Sequence, residues 1–367
     1  MGMRIVFGLM ASHEPAAVVA QLVDALAPHR VVLHQDAARA SQPLLERSNL
    51  CRVPHASATG WGNWGFTRAI LRTVRHAAEV HDFDYFQLLS PSCLPIRPLA
   101  DFRAHVLQER VDIHADLMPV EGDDDTFMTF GYRTYLPGST LRFRLLRRMR
   151  GWYFGARPPL VQYHSLSLHR RMPRPAITPT ALGGYAGLAL TRLAARGALG
   201  AHPFGPALRP RIGSTWFGAH RHACERMLQM IEEEPWCNGF KRLHLVDETL
   251  LATLIAQTGL RIGTSNHAIS RFDGQGHPRI LTPADMPELE AGGRFFARKF
   301  ALQPEDAARQ FALEWAGVAP CVPPGVAPSQ VPSQPVRPAG LQQAPAEDLV
   351  MAQGVPIGTP RLSIQPM

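Results

Sequence analysis

Short apolar runs alternate with helical patterning at the start of the chain: the strand-like Arg4-Ile5-Val6-Phe7-Gly8-Leu9-Met10, then AAVVAQLVDAL, then Val31-Val32-Leu33-His34. Alternation of this kind predicts a parallel sheet covered by helices. Asp36 follows the second apolar run and falls just beyond a strand's C-terminal end, the edge at which open α/β sheets bind ligands. Ile70, Leu71, Val74, Ala77 and Ala78 share one face of a helix that Thr67 can cap, while Arg68, Arg72 and Arg75 lie largely on the other. Tyr85-Phe86-Gln87-Leu88-Leu89 reads as the next strand and ends in the turn-rich Ser90-Pro91-Ser92-Cys93-Leu94-Pro95.

From about 112 to 212 the pattern is irregular, with Asp123-Asp124-Asp125, a basic stretch at 142–150 and Pro- and Arg-rich sequence at 157–175. Loops are expected there, of the kind that shape binding sites. Regular structure returns at Trp216-Phe217, with one helix expected near 219–233 and another from about Asp247 through Ala256. Residues 320–367 hold eleven of the chain's 33 prolines and few aromatics, the composition of a disordered tail.

Composition narrows the classes. At 367 residues and 46% hydrophobic content, the chain can form one large α/β domain or two smaller ones. A formal charge of +8 suits a polyanionic partner such as a nucleotide phosphate, a phospholipid surface or nucleic acid. No helix-turn-helix, zinc-finger or RNA-binding signature accompanies the basic stretch, which argues against nucleic acid. The five cysteines (Cys51, Cys93, Cys224, Cys237, Cys321) show no C-x-x-C spacing, so reduced thiols in a cytoplasmic protein are expected. Ile5 to Ala11 is short, contains a glycine and gives way at once to Ser12-His13-Glu14-Pro15, so it reads as an opening strand and not as a signal peptide's apolar core. No 18 consecutive apolar residues occur, so no transmembrane helix is expected.

The candidate chemistry is one carboxylate and two cations set in apolar segments. Asp247-Glu248 open a helix carrying Leu250, Leu251, Leu254 and Ile255, a position that helix-dipole stabilisation of about 0.3–1 kcal/mol explains equally well. Downstream stand His277-Pro278-Arg279 and Phe296-Ala297-Arg298-Lys299-Phe300. A carboxylate that deprotonates a hydroxyl contributes about 10² to 10⁴ in rate. A cation about 4 Å from a departing diphosphate contributes roughly 4 kcal/mol at an effective dielectric near 20. Two acidic segments invite a metal reading, and both fit it badly: Asp82-Phe83-Asp84 precedes its strand, and Asp123-Asp124-Asp125 reads as a solvated loop.

The segments DYFQLLSPSCLPIRPL, GSTWFGAHRHACERML, VDETLLATLI, HPRILTPADMPEL and FFARKFA occur in order. In order and approximate spacing they resemble the core-2/I-branching β-1,6-N-acetylglucosaminyltransferases, glycosyltransferase family 14, which also holds the peptide O-xylosyltransferases. The resemblance runs from about residue 4 to 301. It implies an α/β fold of the GT-A type, a UDP-sugar donor, inversion at the anomeric carbon, and no metal or other cofactor. On this resemblance a glycosyltransferase domain spans 1–316, with a nucleotide-binding half at about 1–110 and an acceptor and catalytic half at about 111–316, followed by the tail at 317–367.

Residue by residue, the resemblance makes Glu248 the general base and sets Arg279 and Lys299 on the donor diphosphate. Met10, Ala11, Ser12, Asp36 and Trp61 fall at the nucleotide, although an Asx turn and a core tryptophan explain the last two as well. Ser214, Thr215, Trp216 and Asp247 fall on the acceptor or sugar side, and the family's acidic acceptor contact aligns with either His114 or Asp116. The expected reaction moves a sugar, N-acetylglucosamine first and xylose or galactose as alternatives, to a hydroxyl of a glycan or lipid-linked glycan. The stretch Arg142 to Phe154 reads as an amphipathic helix packed on the domain, or as a segment touching an anionic membrane at its inner face. A reading of another class is a non-catalytic, basic polyanion-binding protein.

Overall fold

The computed structural model describes residues 2–36, 38, 46–60, 62–119, 161–163, 169–171, 208–209, 211–241, 246–270 and 278–318. All of them belong to the unit Met1–Cys321, and Val322–Met367 form a second unit. The expected tail, Asp123-Asp124-Asp125, the 142–154 stretch, Trp61 and His277 lie outside the described residues, apart from the tail's first two positions at 317–318.

A seven-stranded sheet organises the first unit. Its strands are β1 (Ile5–Ala11), β2 (Arg30–Gln35), β3 (Leu50–Arg52), β4 (Tyr85–Leu89), β6 (Ile113–His114), β11 (Gly218–His220) and β12 (Ile262–Gly263), in the order β3-β2-β1-β4-β11-β6-β12. The pairs β3–β2, β2–β1, β1–β4 and β6–β12 are parallel, and β11 runs antiparallel to both its neighbours. The fold is therefore mixed α/β with a mostly parallel central sheet, and the strand order reverses beside β1.

Strand periodicity divides the core between two helical layers. Val6 and Met10 of β1, Val32 of β2, and Phe86 and Leu88 of β4 face one side. There they meet α2 (Trp64–Val80), α4 (Arg221–Glu233), α5 (Cys237–Phe240) and α6 (Val246–Gln257), the last through Leu250, Leu251, Leu254 and Ile255. Ile5, Phe7, Leu9 and Ala11 of β1, with Val31 and Leu33 of β2, face the other side. That layer is built by α1 (Ala16–Ala25), α3 (Leu99–Gln108), α7 (Met286–Ala291) and α8 (Ala307–Trp315). Burial on both faces is why β1 reads as an unbroken apolar run. Gly8 stands within it because the Phe86 ring fills the space a side chain would need: a Cβ there would lie 2.3 Å from Phe86 Cζ.

Two expectations change. Helix α2 begins at Trp64, capped by the Asn63 side chain, which accepts a hydrogen bond from Gly65 N at 2.8 Å. Thr67 is instead a fully buried residue inside the helix. The cap lies upstream because Gly60 and Gly62, at φ 65° and 66°, turn the chain into the helix there. The stretch expected to be loops also contains β7 (Leu117–Pro119), paired antiparallel with β10 (Arg211–Gly213), and β8 (Val161–Tyr163), paired antiparallel with β9 (His169–Arg171). Strands of three residues are too short to show periodicity.

A three-stranded sheet stands apart from the central one. It joins β13 (His267–Ile269) in parallel to β14 (Phe296–Arg298), and β14 antiparallel to β5 (Leu94–Pro95). Among the described residues, no helix is long and apolar enough to cross a membrane. Cys51, Cys93, Cys224 and Cys237 are free thiols.

Candidate functional site

The ends of β1 and β2 are tied together beside the strand-order reversal. Asp36 N donates to Ala11 O at 2.9 Å, and Met10 and Ala11 are buried. The Asp36 carboxylate is fully buried and accepts hydrogen bonds from the Thr59 backbone N–H (3.0 Å), the Thr59 hydroxyl (2.5 Å) and the Ala38 N–H (3.0 Å). It thus latches the 57–60 segment, which leads to Trp61, onto the sheet edge. Ser12 follows β1, and its N–H donates to Glu14 Oε2 at 2.5 Å.

The loop after β4 is the next wall. Ser90 and Ser92 pair through their hydroxyls at 2.9 Å, and Ser90 N donates to Cys93 Sγ at 3.4 Å. Burial pushes the Cys93 thiol above its ordinary pKa, with Arg298 acting in the opposite sense. Beneath the loop, the fully buried Arg309 donates to Pro91 O (3.2 Å), Ala301 O (3.1 Å) and Gln21 Oε1 (2.8 Å). Burial lowers its pKa to about 10.

Strand β14 carries the basic residues to this wall. Phe300 N donates to Ser92 O at 2.9 Å, and Ser270 N to Arg298 O at 2.6 Å. Leu281 N donates to Lys299 O at 2.8 Å, which lays the segment containing Arg279 alongside Lys299. Arg279 pairs with Asp285 at 2.5 Å, and Asp285 also accepts from the Thr282 N–H and hydroxyl, each at 2.8 Å. Lys299 is half-buried, and its ammonium has no ion pair or side-chain hydrogen bond among the described residues.

Arg298 is the residue sequence reasoning passed over. Its guanidinium lies 4.5 Å from the centroid of the Trp216 ring, and its buried Nε has no hydrogen-bond partner among the described residues. Burial pulls its pKa down, while Cys93, Asp247 and Glu248 nearby act in the opposite sense. It stood in plain view in the Phe-Ala-Arg-Lys-Phe segment beside Lys299. Its pairing with Trp216 depends on strand placement that no local pattern reveals.

The acidic side is built by the N-terminus of α6. Asp247 is buried and accepts from the Thr215 hydroxyl at 2.6 Å, while Glu248 beside it is half-buried. Trp216 N donates to Ser214 Oγ at 3.3 Å, and Ser214 N to Asp116 O at 3.2 Å. Asp116 in turn accepts from Ser265 N at 3.3 Å, so it belongs to the same wall. His114 does not. It is fully buried, with Nδ1 2.8 Å from the Tyr85 hydroxyl and Nε2 2.9 Å from Glu109 Oε2, which leaves neither nitrogen for an acceptor.

A buried polar network backs the site. Asn266 Nδ2 donates to Tyr85 Oη (2.9 Å) and Gln87 Oε1 (3.0 Å), and Gln87 Nε2 lies 3.4 Å from His267 Nδ1. Burial, with Arg298 and Arg294 nearby, pushes His267 down to about 3, so the ring is neutral at pH 7. Asp82 and Asp84, the segment that invited a metal reading, are both paired with Arg4 at the start of β4, away from this edge.

The structure therefore links Asp116 to Ser214, Ser214 to Trp216, Thr215 to Asp247 and Trp216 to Arg298 through shared contacts, with Glu248 following Asp247, Lys299 following Arg298, and the Arg279 segment alongside. Met10, Ala11, Ser12 and Asp36 sit at the ends of the neighbouring strands. A half-buried carboxylate with cations in its neighbourhood has the chemistry to take a proton from a hydroxyl while an anionic group is held nearby.

No family model matches the chain, and no curated protein matches it. Among solved structures, one match is the 2-C-methyl-D-erythritol 4-phosphate cytidylyltransferase of Thermus thermophilus, at 11% identity and a TM-score of 0.30. The alignment covers 79% of this chain and 98% of that one, and at this TM-score it supports no inference.

Proposed function

We propose that the chain is an inverting glycosyltransferase of GT-A type that moves a sugar from a UDP-sugar to a carbohydrate hydroxyl. The observation that carries the reading is Arg298, held 4.5 Å from the Trp216 ring and within the electrostatic influence of Asp247 and Glu248, with Lys299 following directly and the Arg279 segment bonded alongside through Leu281. Glu248 takes the acceptor proton as the hydroxyl attacks the anomeric carbon. The sugar–phosphate bond breaks, and the electron pair leaves with UDP. Lys299 and Arg279 neutralise the charge on that diphosphate, Arg279 exchanging Asp285 for phosphate oxygens.

Asp247 is held by Thr215 and shapes the wall from which Glu248 projects. The nucleotide occupies the edge formed by Met10, Ala11 and Ser12, with Asp36 positioning the segment that leads to Trp61. N-acetylglucosamine is the donor sugar that the sequence resemblance favours. The acceptor is a glycan or a lipid-linked glycan, and the enzyme works in the cytoplasm, peripheral to the membrane's inner face where the acceptor is lipid-linked.

Incubation with a panel of UDP-sugars and mass analysis of products tests this. Glu248→Gln lowers transfer by about 10² to 10⁴, the range of a positioned general base, with UDP binding retained. Equal transfer by Glu248→Gln and the wild type would refute the assignment. Absence of turnover with every UDP-sugar, together with tight binding of polyanions, would favour the polyanion-binding reading.

A further inference from the structure

We propose that His105, Glu109 and His114 form a binding site for a divalent transition ion of the zinc class, separate from the candidate sugar-transfer site. His105 and Glu109 stand four residues apart at the C-terminal end of α3, on one face of the helix. Strand β6 brings His114 opposite them. The three potential ligand atoms lie within 4.8 Å of one another. Glu109 Oε2 is 2.9 Å from His114 Nε2 and 3.7 Å from His105 Nε2. A tetrahedral ion with bonds of about 2.0–2.1 Å spaces its ligand atoms at about 3.3 Å, so these two separations bracket the required one.

The surroundings suit a metal ligand set. His114 is fully buried, and its Nδ1 meets the Tyr85 hydroxyl at 2.8 Å, itself a hydrogen-bond acceptor from Asn266 Nδ2 at 2.9 Å. A partner on the second ring nitrogen fixes the orientation of a ligating histidine. With the ion on Nε2 the neutral ring keeps its proton on Nδ1 and donates that N–H to the Tyr85 oxygen as a hydrogen bond. His105 packs on Phe295, ring centroids 4.7 Å apart, which limits its rotation. His105 and Glu109 are partly exposed, leaving the ion a path from solvent and room for a water as fourth ligand. Two imidazoles and one carboxylate favour zinc, cobalt or nickel over magnesium or calcium. Arg294, on which Asp116 and then Glu109 act electrostatically, has its Nη1 committed to Ser265 O.

The test is titration of the full chain with zinc, cobalt or magnesium chloride alone, followed by calorimetry, cobalt absorption and thermal unfolding. Zinc binds at one equivalent in this site and raises Tm, cobalt gives the spectrum of a nitrogen- and oxygen-ligated ion, and magnesium does neither. His105→Ala and Glu109→Gln each lower zinc affinity by at least about tenfold, whereas His222→Ala, a neighbouring control, does not. His105→Ala keeps the His114–Glu109 contact, and the apo Tm of each variant reports its folding independently of the ion. Equal zinc affinity and stoichiometry in the wild type and both ligand variants would overturn the proposal, as would a thiolate cobalt spectrum or no zinc binding.

Discussion

The Asp36 latch supports a quantitative test. The carboxylate is fully buried, Thr59 nearly so, and the Thr59 hydroxyl donates to it at 2.5 Å. A charge-assisted hydrogen bond of this kind contributes about 1.5–3 kcal/mol. Thr59→Val removes that bond at nearly constant volume while the Thr59 N–H still donates at 3.0 Å. Asp36→Asn keeps the size, removes the charge and turns an amide donor toward groups that are themselves donors, at a cost of about 2–4 kcal/mol. In a double-mutant cycle the coupling between the two substitutions should therefore be about 1.5–3 kcal/mol. The assay is urea unfolding of the wild type, both single variants and the double variant, with UDP calorimetry on each. A coupling below about 0.5 kcal/mol, or intact stability in Asp36→Asn with UDP affinity abolished, would refute the latch and make Asp36 a direct ligand contact.

Two further outcomes are expected. Arg298→Met changes stability by less than about 2 kcal/mol, because losing the contact with Trp216 is offset by removing a desolvated charge, while UDP affinity falls at least tenfold. Urea unfolding and calorimetry measure both, and unchanged UDP affinity would remove Arg298 from the site. For His267 the folded pKa, about 3, lies below the ordinary value of 6.5, so the unfolded chain binds the extra proton. Its stability contribution is complete above pH 6.5 and is lost by about 1.4 kcal/mol per unit as pH falls toward 3. His34, His114 and His220 are lowered in the same sense by burial. Urea midpoints should fall from pH 6.5 to 5, less steeply in His267→Gln; a flat profile in the wild type would contradict the burial argument.

Strands β1, β2 and β4 and helices α1, α4 and α6 were legible because each is long enough for a period to show, and because burial on both sheet faces makes a strand continuously apolar. The start of α2 was not, since two glycines and Asn63 provide a better entry than Thr67 four residues on. The small sheet was invisible for a different reason. Its strands have two or three residues each, and its pairings join Leu94 to Ala297, which nothing local encodes. Asp36 was legible as a position at a strand end, but its partner Thr59 lies 23 residues away, and the latch exists only once β2 and the following loop are placed. The choice between His114 and Asp116 likewise turned on where β6 stops: His114 is its last residue and points among Tyr85 and Glu109, whereas Asp116 has left the strand to meet Ser214 and Ser265.

The division of the site between two sheets has a physical reason. Acidic residues are favoured in the first turn of α6, where the helix dipole offsets part of their desolvation, and Thr215 fixes Asp247 there so that Glu248 stands beside a held neighbour. A desolvated guanidinium has no comparable support in a β-strand. Arg298 is held against Trp216 with its Nε unmatched among the described residues, an arrangement that an apolar side chain of similar size would replace at little loss of stability. Arg309 makes a partial contrast: fully buried, and with only Nη2 unmatched among the described residues, it donates to two backbone carbonyls and to Gln21, and so acts as a brace between α1, the β4 loop and the segment after Lys299. Arg309 is thus explained by the bonds it makes within the fold. The other lies against Trp216, with its Nε unmatched among the described residues and with Asp247 and Glu248 near enough to act on its pKa, which makes Arg298 the buried arginine to test first for a role in binding.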